Sequence, residues 1–67
     1  MFDKVNFSRK LKIKRAEKGW NQTQLAEHCG LSVSTIASYE SGRKIPQYPA
    51  VCLLADAFEC STDEFRK

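Results

Sequence analysis

Residues 21–42 read Asn21-Gln22-Thr23-Gln24-Leu25-Ala26-Glu27-His28-Cys29-Gly30-Leu31-Ser32-Val33-Ser34-Thr35-Ile36-Ala37-Ser38-Tyr39-Glu40-Ser41-Gly42, and their punctuation decides the fold. Asn21 is a good N-cap, and Gln24, three residues on, is the other half of a capping box. Trp20 before the cap and Leu25 inside the helix form a hydrophobic staple. Leu25, Ala26 and Cys29 give the segment an inward face, and Gly30 ends it after about two turns. The same grammar restarts within three residues. Ser32 caps, Leu31 and Ile36 staple, and Ile36, Tyr39 and Glu40 line the inner side until Gly42 closes the helix.

Working outward, the sequence predicts a first helix over roughly residues 6–18. Phe7, Leu11 and Arg15 recur at i, i+4, i+8 on one face, and Gly19 supplies the left-handed residue that ends it. Beyond Gly42, Arg43-Lys44-Ile45-Pro46 is a basic loop with a helix breaker. A fourth helix is expected from about Tyr48 to Ala57, with Pro49 in its first turn, where a missing N–H is harmless. Val51, Leu54, Ala55 and Phe58 face inward at helical spacing. Ser61-Thr62-Asp63-Glu64 reads as a further capping box opening a fifth helix, with Cys60 and Phe65 as its staple. No sustained period-two alternation marks a strand. The expectation is an all-α, compact five-helix fold: one domain over residues 1–67, with residues 21–42 as its central motif.

Size and composition exclude much else. A chain of 67 residues buries only about 60% of the surface its unfolded form exposes, so its core is thin. The longest apolar run, Ala50 to Ala55, is too short for a bilayer, and the start lacks the apolar stretch of a signal peptide. A cytoplasmic location is therefore expected. Cys29, Cys52 and Cys60 lack Cys-x-x-Cys spacing, and His28 beside Cys29 points elsewhere on a helix. No metal or cofactor is expected, and the three thiols read as buried, reduced side chains.

Charge is uneven. Residues 1–20 carry Lys4, Arg9, Lys10, Lys12, Lys14, Arg15 and Lys18 against Asp3 and Glu17, a balance of +5. Residues 45–67 carry Asp56, Glu59, Asp63 and Glu64 against Arg66 and Lys67, a balance of −2. Such a chain can lay one face on a polyanion; equally, the basic segment can be a solvated helix. A membrane anchor needs a bulkier apolar face than Phe7, Leu11 and Ile13 offer.

The tight Gly30-Leu31-Ser32 connection makes the second and third helices cross steeply, the geometry of a helix-turn-helix. The outer face of the third helix shows Val33, Ser34, Thr35, Ala37, Ser38 and Ser41, with no charge and no long side chain. A solvated face normally carries Lys and Glu. Small residues allow approach to the floor of the major groove, where hydroxyls meet base edges and methyl groups meet thymine. They also suit close helix–helix packing, so this face alone leaves both readings open.

The same stretch resembles the helix-turn-helix of the lambda-repressor-like family, the phage repressor and Cro class. The resemblance spans about residues 7–66. It rests on Arg15, Gly19, Gln22, Leu25, Ala26, Gly30, Ser32, Ile36, Tyr39, Glu40, Gly42, Pro46, Leu54, Ala55, Ser61 and Phe65 standing in register with the family pattern. It departs at Trp20, usually aliphatic, and at Lys14, often apolar, whose stem is expected to cover the core edge while its amine reaches solvent. Ile13 and Leu53 fall where the family is usually polar, as lone exposed aliphatics or as part of a subunit contact.

The resemblance implies a transcriptional regulator binding double-stranded DNA, more often a repressor, acting as a homodimer on a near-palindromic operator. It implies base reading by Val33, Ser34, Thr35 and Ser38. It also implies phosphate contacts from Asn21, Gln22, Thr23, Ser41, Arg43 and Lys44. These roles suit the free N–H groups of helix starts and the cations of the loop. Arg15 and Glu40 match a partly buried structural ion pair, and helical counting agrees. Both face inward from different helices, and two charges aimed at one core are tolerable only if they meet. The dimer is expected to use Phe58 to Lys67. A rival reading is a protein-interaction module of the same fold, an antitoxin or bridging factor. An enzyme finds no constellation of catalytic groups, RNA finds no stacking aromatics on the outer face, and no small-molecule ligand is evident.

Overall fold

A computed structural model describes residues 4–66. Five helices follow in order: α1 (Lys4–Lys18), α2 (Gln22–Cys29), α3 (Val33–Glu40), α4 (Tyr48–Phe58) and α5 (Asp63–Arg66). The all-helical architecture agrees with the sequence reading, with differences at the ends. Helix α1 starts two residues earlier than its apolar periodicity suggested, α4 runs one residue further, and α5 is a single turn.

The caps explain why the chain breaks where it does. At α2, Asn21 Oδ1 accepts the Gln24 N–H and Gln24 Oε1 accepts the Asn21 N–H, both at 2.8 Å, closing the capping box. At α3, Ser32 Oγ accepts the Thr35 N–H at 3.1 Å. Between them Gly30 sits at φ 78°, a left-handed conformation an L side chain rarely adopts, and its N–H ends α2 on the Ala26 carbonyl. Glu59 takes the same role after α4 at φ 56°, although it is not glycine. Its N–H meets the Asp56 carbonyl and the Cys60 N–H meets that of Ala55, the paired bonds of a Schellman motif. Before α5, Ser61 Oγ accepts the Asp63 N–H, while the Glu64 N–H goes to the Ser61 carbonyl, so the Ser61 hydroxyl does not hold the residue a capping box requires.

Helix α1 packs on α3 and α5, and α2 packs on α3 and α4. Phe7, Leu11, Leu25, Ile36, Leu54 and Phe65 are fully buried where these contacts converge. An aromatic chain runs through the core: Tyr39 meets Phe7 edge-on at 5.8 Å, Phe7 meets Phe65 at 5.6 Å, Phe65 meets Phe58 at 6.1 Å, and Phe58 stacks on Trp20 at 5.7 Å. Trp20 in turn stacks on the exposed His28 at 4.1 Å, so the residue that departs from the family extends the core to its edge. Each such pair adds about 0.5–1.5 kcal/mol beyond area burial, a substantial share in so small a core.

One expectation gains a partner and another needs correction. Lys14 holds its amine at the exposed edge of the core, where it is paired. Its Nζ meets Glu64 Oε1 at 2.6 Å and lies 5.8 Å from the Phe65 ring, pinning α5 to α1. That bond raises the Lys14 pKa and lowers that of Glu64. Of the three thiols only Cys29 is buried, because Cys52 and Cys60 lie on partly covered sides of α4 and its following turn. Burial pushes the Cys29 and Cys60 thiols up, away from the reactive thiolate. Among the described residues no group of His, Cys, Asp and Glu converges as metal ligands would, and no helix is long and apolar enough to cross a membrane.

Candidate nucleic-acid interface

Glu40 organises the site from beneath. Its carboxylate accepts Arg15 Nε at 2.7 Å and Nη2 at 3.2 Å, a two-pronged pairing only a planar guanidinium can make. Arg15 Nη1 also donates to the Trp20 carbonyl at 2.9 Å, holding the end of α1 against the approach to α2. The side chains are 23% and 5% exposed, so the pair is mostly shielded from water.

Two neighbours complete the cluster. Gln22 Nε2 donates to Glu40 Oε1 at 3.0 Å. Ser8, buried in α1, donates its hydroxyl to the Glu40 carbonyl. Sequence reasoning missed Ser8, since a serine one residue past a core phenylalanine carries no motif; only its place on the α3 side of α1 gives it a task. No buried side-chain nitrogen or oxygen among the described residues lacks a partner. The cluster thus sets the start of α2 beside the end of α3, with Gln22 bonded to Glu40.

The residues expected to touch phosphate differ in how free they are. Thr23, Arg43 and Lys44 are exposed. Asn21 is exposed, but its Oδ1 is spent on the cap, leaving its amide NH₂ for a ligand. Gln22 is half-buried, with its amide nitrogen directed at Glu40. Ser41 Oγ donates to the Ser38 carbonyl at 3.1 Å. That carbonyl also accepts the Arg43 N–H at 3.0 Å and the Lys44 N–H at 3.3 Å. The basic loop therefore folds back onto the last turn of α3, where cations are favoured by the helix dipole.

The expected base-reading residues share the outer side of α3. Val33 is 40% exposed, Ser34 is open, and Ser38 is half-buried. Thr35 is also half-buried, and its hydroxyl lies 2.8 Å from Ser32 Oγ, which ties it to the cap. Nothing longer than valine stands on this face. The surface expected to pair two subunits looks different from its sequence, for Phe58 and Phe65 are buried and Cys60 is half-buried. Among the described residues the large exposed apolar side chains are Val5, Ile13, Val33, Ile45, Tyr48 and Leu53. Ile45 and Leu53 line one groove with Leu31 on the α4 side.

Comparison with known proteins adds a family. Residues 11–65 match the family model described as "Helix-turn-helix". The chain is 40% identical over 50 residues to the HTH-type transcriptional regulator AnsR of Bacillus subtilis (strain 168), covering 75% of this chain and 43% of that protein. It is 40% identical over 43 residues to the cryptic phage CTXphi transcriptional repressor RstR of Vibrio cholerae, covering 64% and 38%. The chain thus spans less than half the length of these curated relatives. Among solved structures, the restriction-modification controller protein C.AhdI from Aeromonas hydrophila superposes with a TM-score of 0.89 at 30% identity, covering 94% of this chain and 96% of that one.

Proposed function

The chain belongs to the helix-turn-helix family, and from that premise we propose that it binds double-stranded DNA sequence-specifically and regulates transcription as a repressor. Helix α3 enters the major groove. Val33, Ser34, Thr35 and Ser38 read bases, while Asn21, Gln22, Thr23, Ser41, Arg43 and Lys44 hold phosphates. Arg15 and Glu40 stay beneath, tying α1 to α3. The observation that carries this reading is the outer side of α3, small and uncharged, with a basic loop folded against its end. Small side chains let the helix axis approach base edges, and flanking cations supply the sequence-independent part of the affinity.

A single eight-residue helix reads few base pairs, so the chain acts as a homodimer on a near-palindromic operator. With Phe58 and Phe65 buried, the groove lined by Ile45 and Leu53 is the better candidate for the subunit contact. The naming of one relative as a transcriptional repressor favours repression over activation.

Binding-site selection followed by footprinting tests the reading. The expected result is a discrete motif with two half-sites about one helical turn apart and a steep loss of affinity with salt. A protein-interaction module would select no motif.

A further inference from the structure

The cations of α1 divide into two groups that the sequence does not distinguish. Four are engaged by the rest of the fold: Lys14 on Glu64 at 2.6 Å, Lys18 near Glu59 at 3.5 Å, Lys10 on the Glu64 carbonyl at 2.9 Å, and Arg15 on Glu40. The acidic C-terminal part of the chain thus neutralises one side of the basic helix. The side chains of Lys4, Arg9 and Lys12 make no hydrogen bond or ion pair among the described residues, and all three are exposed.

Their placement gives them a task. Lys4, Ser8 and Lys12 recur every four residues, on the side of α1 that Ser8 turns toward Glu40. Together with Arg9, Lys4 and Lys12 line a groove whose opposite wall is Ser41 and Gly42. Glu40 also borders it, but its charge is taken by Arg15. Beyond Gly42 come Arg43 and Lys44, held to the same end of α3 through the Ser38 carbonyl. The unpaired cations of α1 therefore continue the line of the basic loop along one edge.

We propose that Lys4, Arg9 and Lys12 form a second phosphate track, which takes the DNA backbone beside Ser41 and Gly42 and lengthens the contact made by Arg43 and Lys44. This inference rests on the DNA-binding reading above. From Lys4 to Lys12, α1 rises about 12 Å. At roughly 3.4 Å of axial rise per nucleotide, that length meets several phosphates of one strand. The track carries no base-edge contact, so it adds affinity without changing the preferred sequence.

The test compares two sets of substitutions on the operator selected by the unaltered chain: Lys4→Gln with Arg9→Gln and Lys12→Gln, and, as a control, Lys10→Gln with Lys14→Gln. The triple variant should keep the melting temperature and the selected motif. Its log–log salt dependence should flatten by about 2–3 units per subunit, at roughly 0.9 unit for each phosphate released. Phosphate-ethylation interference should lose a contiguous block on one strand, while the block belonging to Arg43 and Lys44 persists. The control should keep the original slope and interference pattern. An unaltered slope and pattern in the triple variant overturns the proposal and assigns these cations to another acidic partner. If Lys44→Ala also leaves the slope unchanged, the DNA-binding reading falls with it.

Discussion

On its inner side α3 carries Ile36, Tyr39 and Glu40, all buried, and each has a fixed partner in α1, α2 or the core. On its outer side the same eight residues carry Val33, Ser34 and Ser38, which no other helix covers fully. Two turns of helix thus separate what holds the chain together from what it offers to a ligand. Inner substitutions should act on folding and reach DNA only through it. Outer substitutions should act on recognition and leave folding almost unchanged.

The largest effect should come from the apolar half of the inner side. Ile36 is fully buried, so Ile36→Ala should destabilise by about 4 kcal/mol, combining lost burial with a cavity that a thin core fills poorly. Urea titration measures this. A loss below about 1 kcal/mol would mean that the two sides differ less than proposed. Next comes the polar half. Glu40→Gln keeps the shape but leaves the Arg15 guanidinium unneutralised, and should cost about 3 kcal/mol, moderated by the partial exposure of Arg15. Glu27→Gln on the exposed side of α2 should change stability by less than about 0.5 kcal/mol. Equal melting temperatures for Glu40→Gln and Glu27→Gln would remove the ion pair from the account.

Two smaller effects lie away from α3 and test whether stability is confined to buried groups. Glu59 holds a left-handed conformation that L-residues resist, so Glu59→Gly should raise stability by about 0.5–1 kcal/mol after the added freedom of the unfolded chain is counted. Thermal melting should move upward by a few degrees. A downward shift would mean that the exposed Lys18 contact outweighs the backbone strain.

The Lys14–Glu64 pair should give a pH signature. Glu64 is held below its ordinary value by its bond to Lys14, so the folded state keeps its carboxylate ionised where the unfolded chain would protonate it. Its contribution is present above the usual glutamate range and fades as pH falls through the lowered folded value. The Lys14 pKa is raised by the same bond, so its contribution is present below the ordinary lysine value and lost as pH rises through the raised one. Comparing Glu64→Gln with the parent across pH should give a small difference near neutrality that vanishes at acid pH. A difference that persists at acid pH would mean the pair is not its source.

Much of the fold is legible because most of the turns between α1 and α4 carry their own signals. Gly19, Asn21 with Gln24, Gly30, Ser32 and Gly42 are local signals, and local hydrogen bonds act on them as written. What escapes is either unmarked by residue type or non-local. The left-handed Glu59 carries none of the usual residue signal. The Ser8 bond joins residues 32 positions apart, and the Lys14 bond joins residues 50 apart. The start of α1 was missed because Lys4 and Val5 add nothing to its apolar period. In the candidate site, the sequence named the residues, but it could not tell which polar atoms the fold would occupy first. Gln22 is expected at phosphate, yet its Nε2 is engaged by Glu40.

The division between the two sides of α3 is tested most directly by selecting binding sites in parallel for the unaltered chain and for the Ser34→Ala, Ser38→Ala double variant. Both side chains lie on the outer side, so the melting temperature should move by no more than a few degrees. The account predicts a discrete motif for the parent. In the variant the preference should change at one or two positions, with losses of about 1–3 kcal/mol on the parent's best site and an unaltered salt dependence. An identical motif selected by both proteins with equal affinity would contradict it, because recognition would then come from DNA shape or from another part of the chain.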